Sequence, residues 1–307
     1  MVKYVDGSVA PCVEVDQLSG WLRSPEAASM YAMRRYRMIN GTFDTRSHMI
    51  ADEIPLTWEP TIRAQHWSNR LRALAWLEDE FGKVDLGEKV AEFAALGGEP
   101  FSVLAYHNVF FRQVRRSFVI GCYYPALVGC CALGERILNH LLHEFRGDFK
   151  HTPEYKRVHR KQSFDDWSMA IDVLEAWGLL LPEVANDFRL LRIKRNESIH
   201  FRPETSTLAR DMALESIAIL ARIIDGQFGL LGPKPWYFET PGETYVKGEA
   251  ENWPFVAKIL VPAALHVGPR YVLSYHLEDG TWWVQDVGDA GPDSGSDGDF
   301  ISLRLHA

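Results

Sequence analysis

The sequence predicts a mainly helical protein of the α+β class, a four-helix bundle with a small antiparallel β region after it. Between about residues 99 and 229, four segments have apolar residues at helical spacing and are joined by short connections, as in helical bundles. After about residue 233 the period changes, and the strand-like runs RYVLSYHL and TWWVQDV are joined through Glu278–Asp279–Gly280, a hairpin signal. We therefore predict an N-terminal helical region over 1–98, a helical bundle over 99–229 and a β-rich region over 233–307.

The N-terminal region contains three predicted helices. The first covers Ser24–Met38, where Ser24 is a suitable N-cap and Pro25 suits the first helical position. The second covers about Pro60–Phe81, and the third, GEKVAEFAAL, ends at Gly97–Gly98. The second helix has an apolar stripe at helical spacing, formed by Ile62, Trp67, Leu71, Leu74 and Leu77.

The bundle begins with the apolar segment SFVIGCYYPALVGCCALGERILNHLLHEF, in which Pro125 predicts a kink or a helix start. In SFDDWSMAIDVLEAWGLL, Ser163 and Asp166 have the spacing of a capping box. Pro182 then suits the first turn of PEVANDFRLLRIKRNESIHF, which Pro203 limits. The buried face of this helix is predicted to contain Val184, Phe188 and Leu191. The fourth helix covers about Leu208–Asp225.

The C-terminal region should contain two further strands, FVAKILVPA and FISLRLHA, with the flexible loop GDAGPDSGSDGD before the second. The sequence has neither a signal-peptide pattern nor an apolar run near the roughly 20 residues that span a bilayer. We therefore expect a cytoplasmic protein that does not enter membranes. The net charge of −8 excludes a generally basic surface for nucleic acid, but it permits a local basic groove.

The segment LRIKRNESIHFRPE contains the best candidates for catalytic side chains, namely Arg195, Asn196 and His200. Asn196 and His200 are four residues apart and share a helix face. Arg195 and His200 are five apart, so their directions differ by about 140° on an ideal helix. They can meet one ligand if the helix end is distorted near Pro203, or if a symmetric dimer supplies half of the site from each chain.

These residue types suit the cleavage of an RNA phosphodiester bond without a metal. A histidine transfers the proton of the 2′-hydroxyl or of the leaving oxygen, and an arginine stabilises charge on the phosphoryl oxygens. Asn196 can hold the histidine tautomer or bind phosphate. The spacing alone favours the simpler interpretation, a solvated helix end with a surface histidine.

The segment from about Phe118 to Asp225 resembles a HEPN domain (higher eukaryotes and prokaryotes nucleotide-binding), whose motif is Arg, a polar residue and then His. Arg195, Asn196 and His200 match that motif, and YYPALVGCCALGERILNHL is similar to the family's first helix, with Glu135 as its internal acid. The resemblance implies a dimeric, metal-independent endoribonuclease with a composite site, in which Arg195, Asn196 and His200 are catalytic and no cofactor is used. It also implies toxin or anti-phage roles, with an antitoxin or regulatory protein as partner.

Other HEPN domains have lost catalysis, which leaves an alternative: a module that binds a nucleotide or a protein partner. A plain helical scaffold is a third interpretation. Glu135 is either an ordinary surface acid or a supporting residue that orients Arg195 or His200. Seven basic residues are either solvated or bind the RNA backbone: Lys156, Arg157, Arg160, Lys161, Arg192, Lys194 and Arg202.

Other chemistry has weaker support. His140 and His143 share a helix face and could bind a metal, but no third ligand is evident, so we expect no metal site. The chain has neither a phosphate-binding Walker loop nor a Gly-x-Ser-x-Gly motif, which argues against nucleotide hydrolysis and serine-hydrolase chemistry.

Overall fold

The computed structural model describes residues 2–4, 33–199, 203–276, 281–285 and 295–306. It confirms the predicted α+β class, since helices predominate and the strands form small sheets. The chain divides into two compact units: Gly41–Leu230 is one, and Met1–Asn40 together with Leu231–Ala307 is the other. This division differs from the three predicted regions, because the described helices of 1–98 belong with the predicted bundle and Arg35–Met38 belongs with the C-terminal strands.

The elements have the following bounds. The helices are α1 (Arg46–Ala51), α2 (Pro60–Phe81), α3 (Leu86–Ala95), α4 (Asn108–Val119), α5 (Tyr123–Phe145), α6 (Tyr155–Val158), α7 (Trp167–Ala176), α8 (Pro182–Ile199), α9 (Pro203–Phe228) and α10 (Asp297–Leu305). The strands are β1 (Val2–Tyr4), β2 (Arg35–Met38), β3 (Gly41–Asp44), β4 (Glu99–Val103), β5 (Tyr237–Thr240), β6 (Glu243–Val246), β7 (Ala264–Val267), β8 (Val272–His276) and β9 (Thr281–Gln285).

Helix α5 is central to the Gly41–Leu230 unit, where it packs against α4, α7, α8 and α9. Its inner face is apolar and fully buried, as at Leu127, Ile137 and Leu141. The predicted buried face of α8 is also confirmed, because Val184, Phe188 and Leu191 are at most 2% exposed. Burial of these faces supplies the main stabilising free energy of the unit, at roughly 25 cal/mol per Å² of apolar surface.

Pro182 is the first residue of α8 and Pro125 lies in the first turn of α5, both as predicted. Two other helix starts differ from the prediction. Helix α7 is capped by Asp166 and not by Ser163, because the Asp166 side chain accepts a hydrogen bond from the Met169 amide (3.1 Å). Helix α9 begins at Pro203 and not at about Leu208. Gly178, with φ of +67°, lies just after α7, and this conformation favours glycine.

The apolar stripe of α2 is largely exposed, although the helix itself has its predicted bounds. Leu77 is 1% exposed, but Ile62, Trp67 and Leu71 are 45%, 53% and 63% exposed. The buried residues of α2 are Ala73 and Leu77, so only its C-terminal half packs closely on the unit. Helical spacing identifies a stripe, whereas its burial depends on whether another element covers it.

The second unit contains two sheets, with strand orders β5–β6–β2–β7 and β1–β9–β8. Strands β8 and β9 pair antiparallel, from Val272 opposite Gln285 to His276 opposite Thr281, which confirms the predicted hairpin strands. Strand β1 pairs with β9 in parallel. Tyr245, Leu265, Val267, Tyr271 and Phe300 lie in the core of this unit.

Three predicted segments in this unit are wrong where the structure describes them. The end of the predicted helix Ser24–Met38 is strand β2, which pairs with β6 and β7; its earlier part lies outside the described residues. FVAKILVPA forms a π-helical turn over Val256–Leu260 and a 3-10 turn over Val261–Ala263 instead of a strand.

The third wrong segment, FISLRLHA, belongs to helix α10 and not to a strand. Ser296 and Asp299 form a reciprocal capping box that starts this helix, within the segment predicted to be a flexible loop. Residues 288–294 of that loop lie outside the described part of the chain. Among the described residues, no helix combines the length and the apolar character needed to cross a bilayer.

Candidate active site

Residues 191–199 of the motif segment form the C-terminal end of α8. Arg195 and Asn196 are in its last two turns, and Asn196 is exposed. Ser198 is buried and donates a hydrogen bond from Oγ to the Arg195 carbonyl (2.9 Å). His200 and Arg202 lie outside the described residues, so the predicted convergence of Arg195 and His200 stays a prediction.

Arg195 is held by residues of two other helices. Its Nη2 lies 3.1 Å from Glu135 Oε2 on α5, and its guanidinium carbon lies 5.8 Å from the centre of the Trp167 ring on α7. The same Glu135 oxygen accepts a hydrogen bond from Trp167 Nε1 (3.0 Å). Glu135 therefore pairs with Arg195 and is itself oriented by a buried indole, the arrangement expected of a supporting acid.

A groove of about 450 Å³ runs along the open face of α5 beside this ion pair. Its polar lining comes mainly from α5, as Glu135, Arg136, Asn139, His140 and His143, together with Arg195 from α8. The Asn139 amide fixes one wall, because its Oδ1 accepts from the Phe164 amide (2.8 Å) and its Nδ2 donates to the Phe164 carbonyl (3.0 Å). These hydrogen bonds fix the loop before α7, and Gln162 and Ser163 of this loop line one edge of the groove.

The two histidines of the groove differ in their partners. His143 donates from Nε2 to the Gln162 carbonyl (2.8 Å), so it takes part in holding the same loop. The His140 ring packs on the Tyr106 ring, with centroids 4.0 Å apart. The pKa of His140 is lowered by burial, by Arg136 and by His143. No group of three metal-ligand side chains occurs within the described ranges.

Cys131 also lines the groove but is unsuited to nucleophilic chemistry. Burial raises the pKa of its thiol to about 11, against smaller opposing effects of Ser198 and Arg195. At neutral pH the sulfur is therefore protonated, and the thiolate is the reactive form.

The seven predicted RNA-binding residues fall into different environments. Lys194 is engaged by acids, with Nζ 2.7 Å from Glu215 and 3.7 Å from Glu197. Arg192 is half-buried, and its Nε is buried with no hydrogen-bond partner in the described part of the chain. The remaining described residues, Lys156, Arg157, Arg160 and Lys161, are exposed on α6 and the loop after it.

This exposed basic run is attached to the edge of the groove. Arg146 donates from Nη1 to the Lys161 carbonyl (2.8 Å), and the next residue, Gln162, lines the groove. The run therefore leads into the groove that contains Arg195.

Arg136 and Trp167 were not singled out from the sequence, and His140 was considered there only as a possible metal ligand. Arg136 and His140 follow Ala132 at intervals of four on α5, and this spacing could have identified them as one face. Trp167 carries no such signal, because its contact with Glu135 depends on the packing of α7 against α5.

No protein-family model, curated protein or solved structure significantly matches this chain.

Proposed function

We propose that this protein is a metal-independent endoribonuclease of the HEPN type, in which α5, α7, α8 and α9 form the bundle. The observation that carries the proposal is the ion pair between Arg195 and Glu135 at the edge of an open groove. A solvated helix end would leave the Arg195 side chain in water without a defined partner. Instead, Glu135 and Trp167 hold it while about 27% of it remains exposed.

That arrangement supports phosphate binding. A guanidinium has five N–H donors, so contact with one Glu135 oxygen leaves donors for an anion. Trp167 Nε1 orients Glu135, and Glu135 in turn pairs with Arg195, so the Arg195 guanidinium is positioned before a ligand binds. Charge that grows on the phosphoryl oxygens during cleavage is stabilised by such a fixed donor.

In this proposal the 2′-oxygen of RNA attacks phosphorus and the bond to the 5′-oxygen breaks. His200 donates a proton to that leaving oxygen, Arg195 stabilises the phosphoryl charge and Asn196 orients the site. The products are a 2′,3′-cyclic phosphate and a 5′-hydroxyl. The reaction uses no water molecule and requires no metal ion. The exposed run Lys156–Lys161 supports an approach of the RNA backbone along the edge of the groove.

A homodimer is part of the proposal. On one straight helix, the side chains of Arg195 and His200 would project from different faces and could not both contact one phosphate, so a second chain supplies half of the site. The start of α5 supports an interface: Tyr124 and Val128 are 50% and 37% exposed there, and Phe110 of neighbouring α4 is 39% exposed. Burial of such residues against a second copy is favourable, and a two-fold axis would bring both motif helices together.

The test is cleavage of total tRNA by the purified full chain, with and without EDTA. We expect cleavage in both conditions, and a loss of about 100-fold or more in Arg195→Ala and in His200→Ala. Arg189→Ala is the matched control, because Arg189 is on the same helix and pairs with Glu175 (2.6 Å) and Asp172 (3.5 Å) instead of Glu135.

Intact tRNA after incubation with the wild type would overturn the nuclease proposal. Equal loss of activity in Arg189→Ala would also count against it. The loss would then come from removing any positive charge on α8 and not from removing Arg195 from the groove. RNA or nucleotide binding without cleavage would favour the alternative of a non-catalytic binding module.

A further inference from the structure

The Arg195–Asn196–His200 motif supplies one imidazole, whereas the proposed reaction moves two protons. One proton leaves the attacking 2′-hydroxyl and another is added to the leaving 5′-oxygen. With His200 assigned to the leaving oxygen, a proton acceptor is needed for the nucleophile. The groove beside Arg195 contains two more histidines, His140 and His143.

We infer that His140 is the general base that takes the proton of the attacking 2′-hydroxyl, an inference that rests on the proposed function. His140 and Arg195 line the same groove, so both are available to one bound phosphodiester. No hydrogen bond engages the His140 ring among the described residues; its contact is the Tyr106 ring, which is tilted by 31° from the imidazole plane. A ring nitrogen of His140 is therefore free to accept a proton.

His143 has a structural contact that His140 lacks. Its Nε2 is committed to the Gln162 carbonyl at 2.8 Å, and its ring also packs on Phe164. It therefore holds the loop that forms the groove edge. The two residues are three positions apart on one helix, which makes them a matched pair for comparison.

The charges around His140 favour its neutral form. Arg136 and His143 on the same helix oppose protonation, as does burial, whereas Glu144 acts in the other direction. Tyr106 adds an uncharged ring from the segment before α4, and the charges of Glu135 and Arg195 offset each other across the groove. A neutral imidazole accepts a proton directly, as a general base must.

In the reaction, a His140 ring nitrogen takes the hydroxyl proton as the 2′-oxygen forms its bond to phosphorus. The bond from phosphorus to the 5′-oxygen breaks, and His200 supplies the proton that this oxygen needs. His140 ends protonated and His200 deprotonated, and exchange with water restores both. No oxidant, reductant or co-reactant is required.

The test compares the wild type with His140→Ala and His143→Asn, using first-order rates of tRNA cleavage between pH 4.5 and 8. A base that must be deprotonated makes the wild-type rate rise with pH on the acid side of this range, and the acid His200, which must be protonated, makes it fall on the alkaline side. In His140→Ala we expect the maximum rate to fall by about 100-fold or more and the rise on the acid side to disappear. Imidazole in the buffer should restore part of this rate. His143→Asn should keep the rise with pH and gain nothing from imidazole.

Two outcomes would overturn the inference while the nuclease proposal stands. One is a His140→Ala variant that keeps the pH rise, and the other is a failure of imidazole to rescue a variant whose thermal unfolding matches the wild type. Titration of His140 by NMR gives a readout independent of cleavage. A pKa below the ordinary value near 6.5 is expected, and a higher value would overturn the inference. Absence of all tRNA cleavage by the wild type would remove both proposals.

Discussion

At the scale of single residues, the basic side chains near the motif are distinguished by their partners and not by their charge. Lys194 and Arg195 are adjacent in sequence, yet Lys194 is paired with Glu215 at 2.7 Å, whereas Arg195 lies at an open groove with Glu135. From the sequence, Arg195 is predicted to be catalytic and Lys194 to bind the RNA backbone. The geometry supports a ligand-binding role for Arg195 more strongly than for Lys194, whose charge is already compensated.

His107 shows how burial changes a titratable residue. It is fully buried just before α4, and neither ring nitrogen has a hydrogen-bond partner in the described part of the chain. Burial lowers the pKa of His107 to about 4. The N-terminus of a helix also disfavours a positive charge, which acts in the same direction.

This depressed pKa predicts a loss of stability in acid. In the unfolded chain His107 binds a proton near pH 6.5, and in the folded chain only near pH 4, so the free energy of unfolding falls as pH decreases across that window. The full effect is up to about 3 kcal/mol. The variant His107→Leu should lose this part of the pH dependence. Urea unfolding at several pH values between 7 and 4 measures it, and equal slopes in both proteins would contradict the prediction.

At the scale of helices, glycine permits the close approach of α5 to its neighbours. A Cβ atom added at Gly134 would lie 2.7 Å from Leu191 Cδ2 on α8 and 2.8 Å from Trp167 Cη2 on α7. Real Cβ atoms do not make such contacts, so the neighbouring helices would have to move. The same approach brings Trp167 within hydrogen-bond distance of Glu135, which links packing to the candidate active site.

We therefore expect Gly134→Ala to destabilise the protein by about 1–3 kcal/mol, although alanine favours helices. Gly87 provides the matched control, because it lies in helix α3 and an added Cβ there would have no atom within 4 Å. Gly87→Ala should stabilise the protein by about 0.5–1 kcal/mol. Thermal unfolding of the two variants gives the signs, and the same sign for both would contradict the packing argument.

At the scale of the whole molecule, the open face of α5 changes character along its length. Its first half is apolar or small, with Tyr124, Val128 and Ala132, and its second half carries the polar groove residues. Such a face suits an interface beside an active site, because the apolar part can be covered by a second copy while the polar part stays open to substrate.

The predicted dimer can be disrupted at Val128. Placing a carboxylate in an apolar interface is unfavourable, so Val128→Asp should weaken self-association by about tenfold or more. Val84→Asp is the matched control, because Val84 is 74% exposed in the turn between α2 and α3. Sedimentation equilibrium of the three proteins measures association. A monomeric wild type, or equal weakening by both variants, would refute this interface.

Much of the Gly41–Leu230 unit could be predicted from local signals. Asp166, Pro182 and Pro203 act within one or two turns of their helix ends, so their effect is visible in the sequence. The wrong assignment at β2 has a different cause. Arg35 is 3% exposed because it pairs with Asp297 at 2.6 Å, and no local pattern predicts a partner so distant in the chain.

Local chemistry in the sequence therefore established the helix ends, the apolar face of α8, the hairpin strands β8 and β9, and the residue types of the motif. Tertiary structure decided which apolar faces are covered and which charges meet. Glu135 and Arg195 are far apart along the chain, and only the packing of α5, α7 and α8 brings them together beside His140. The physical reason is range: caps and prolines act on neighbouring residues, whereas burial and ion pairing depend on distant elements.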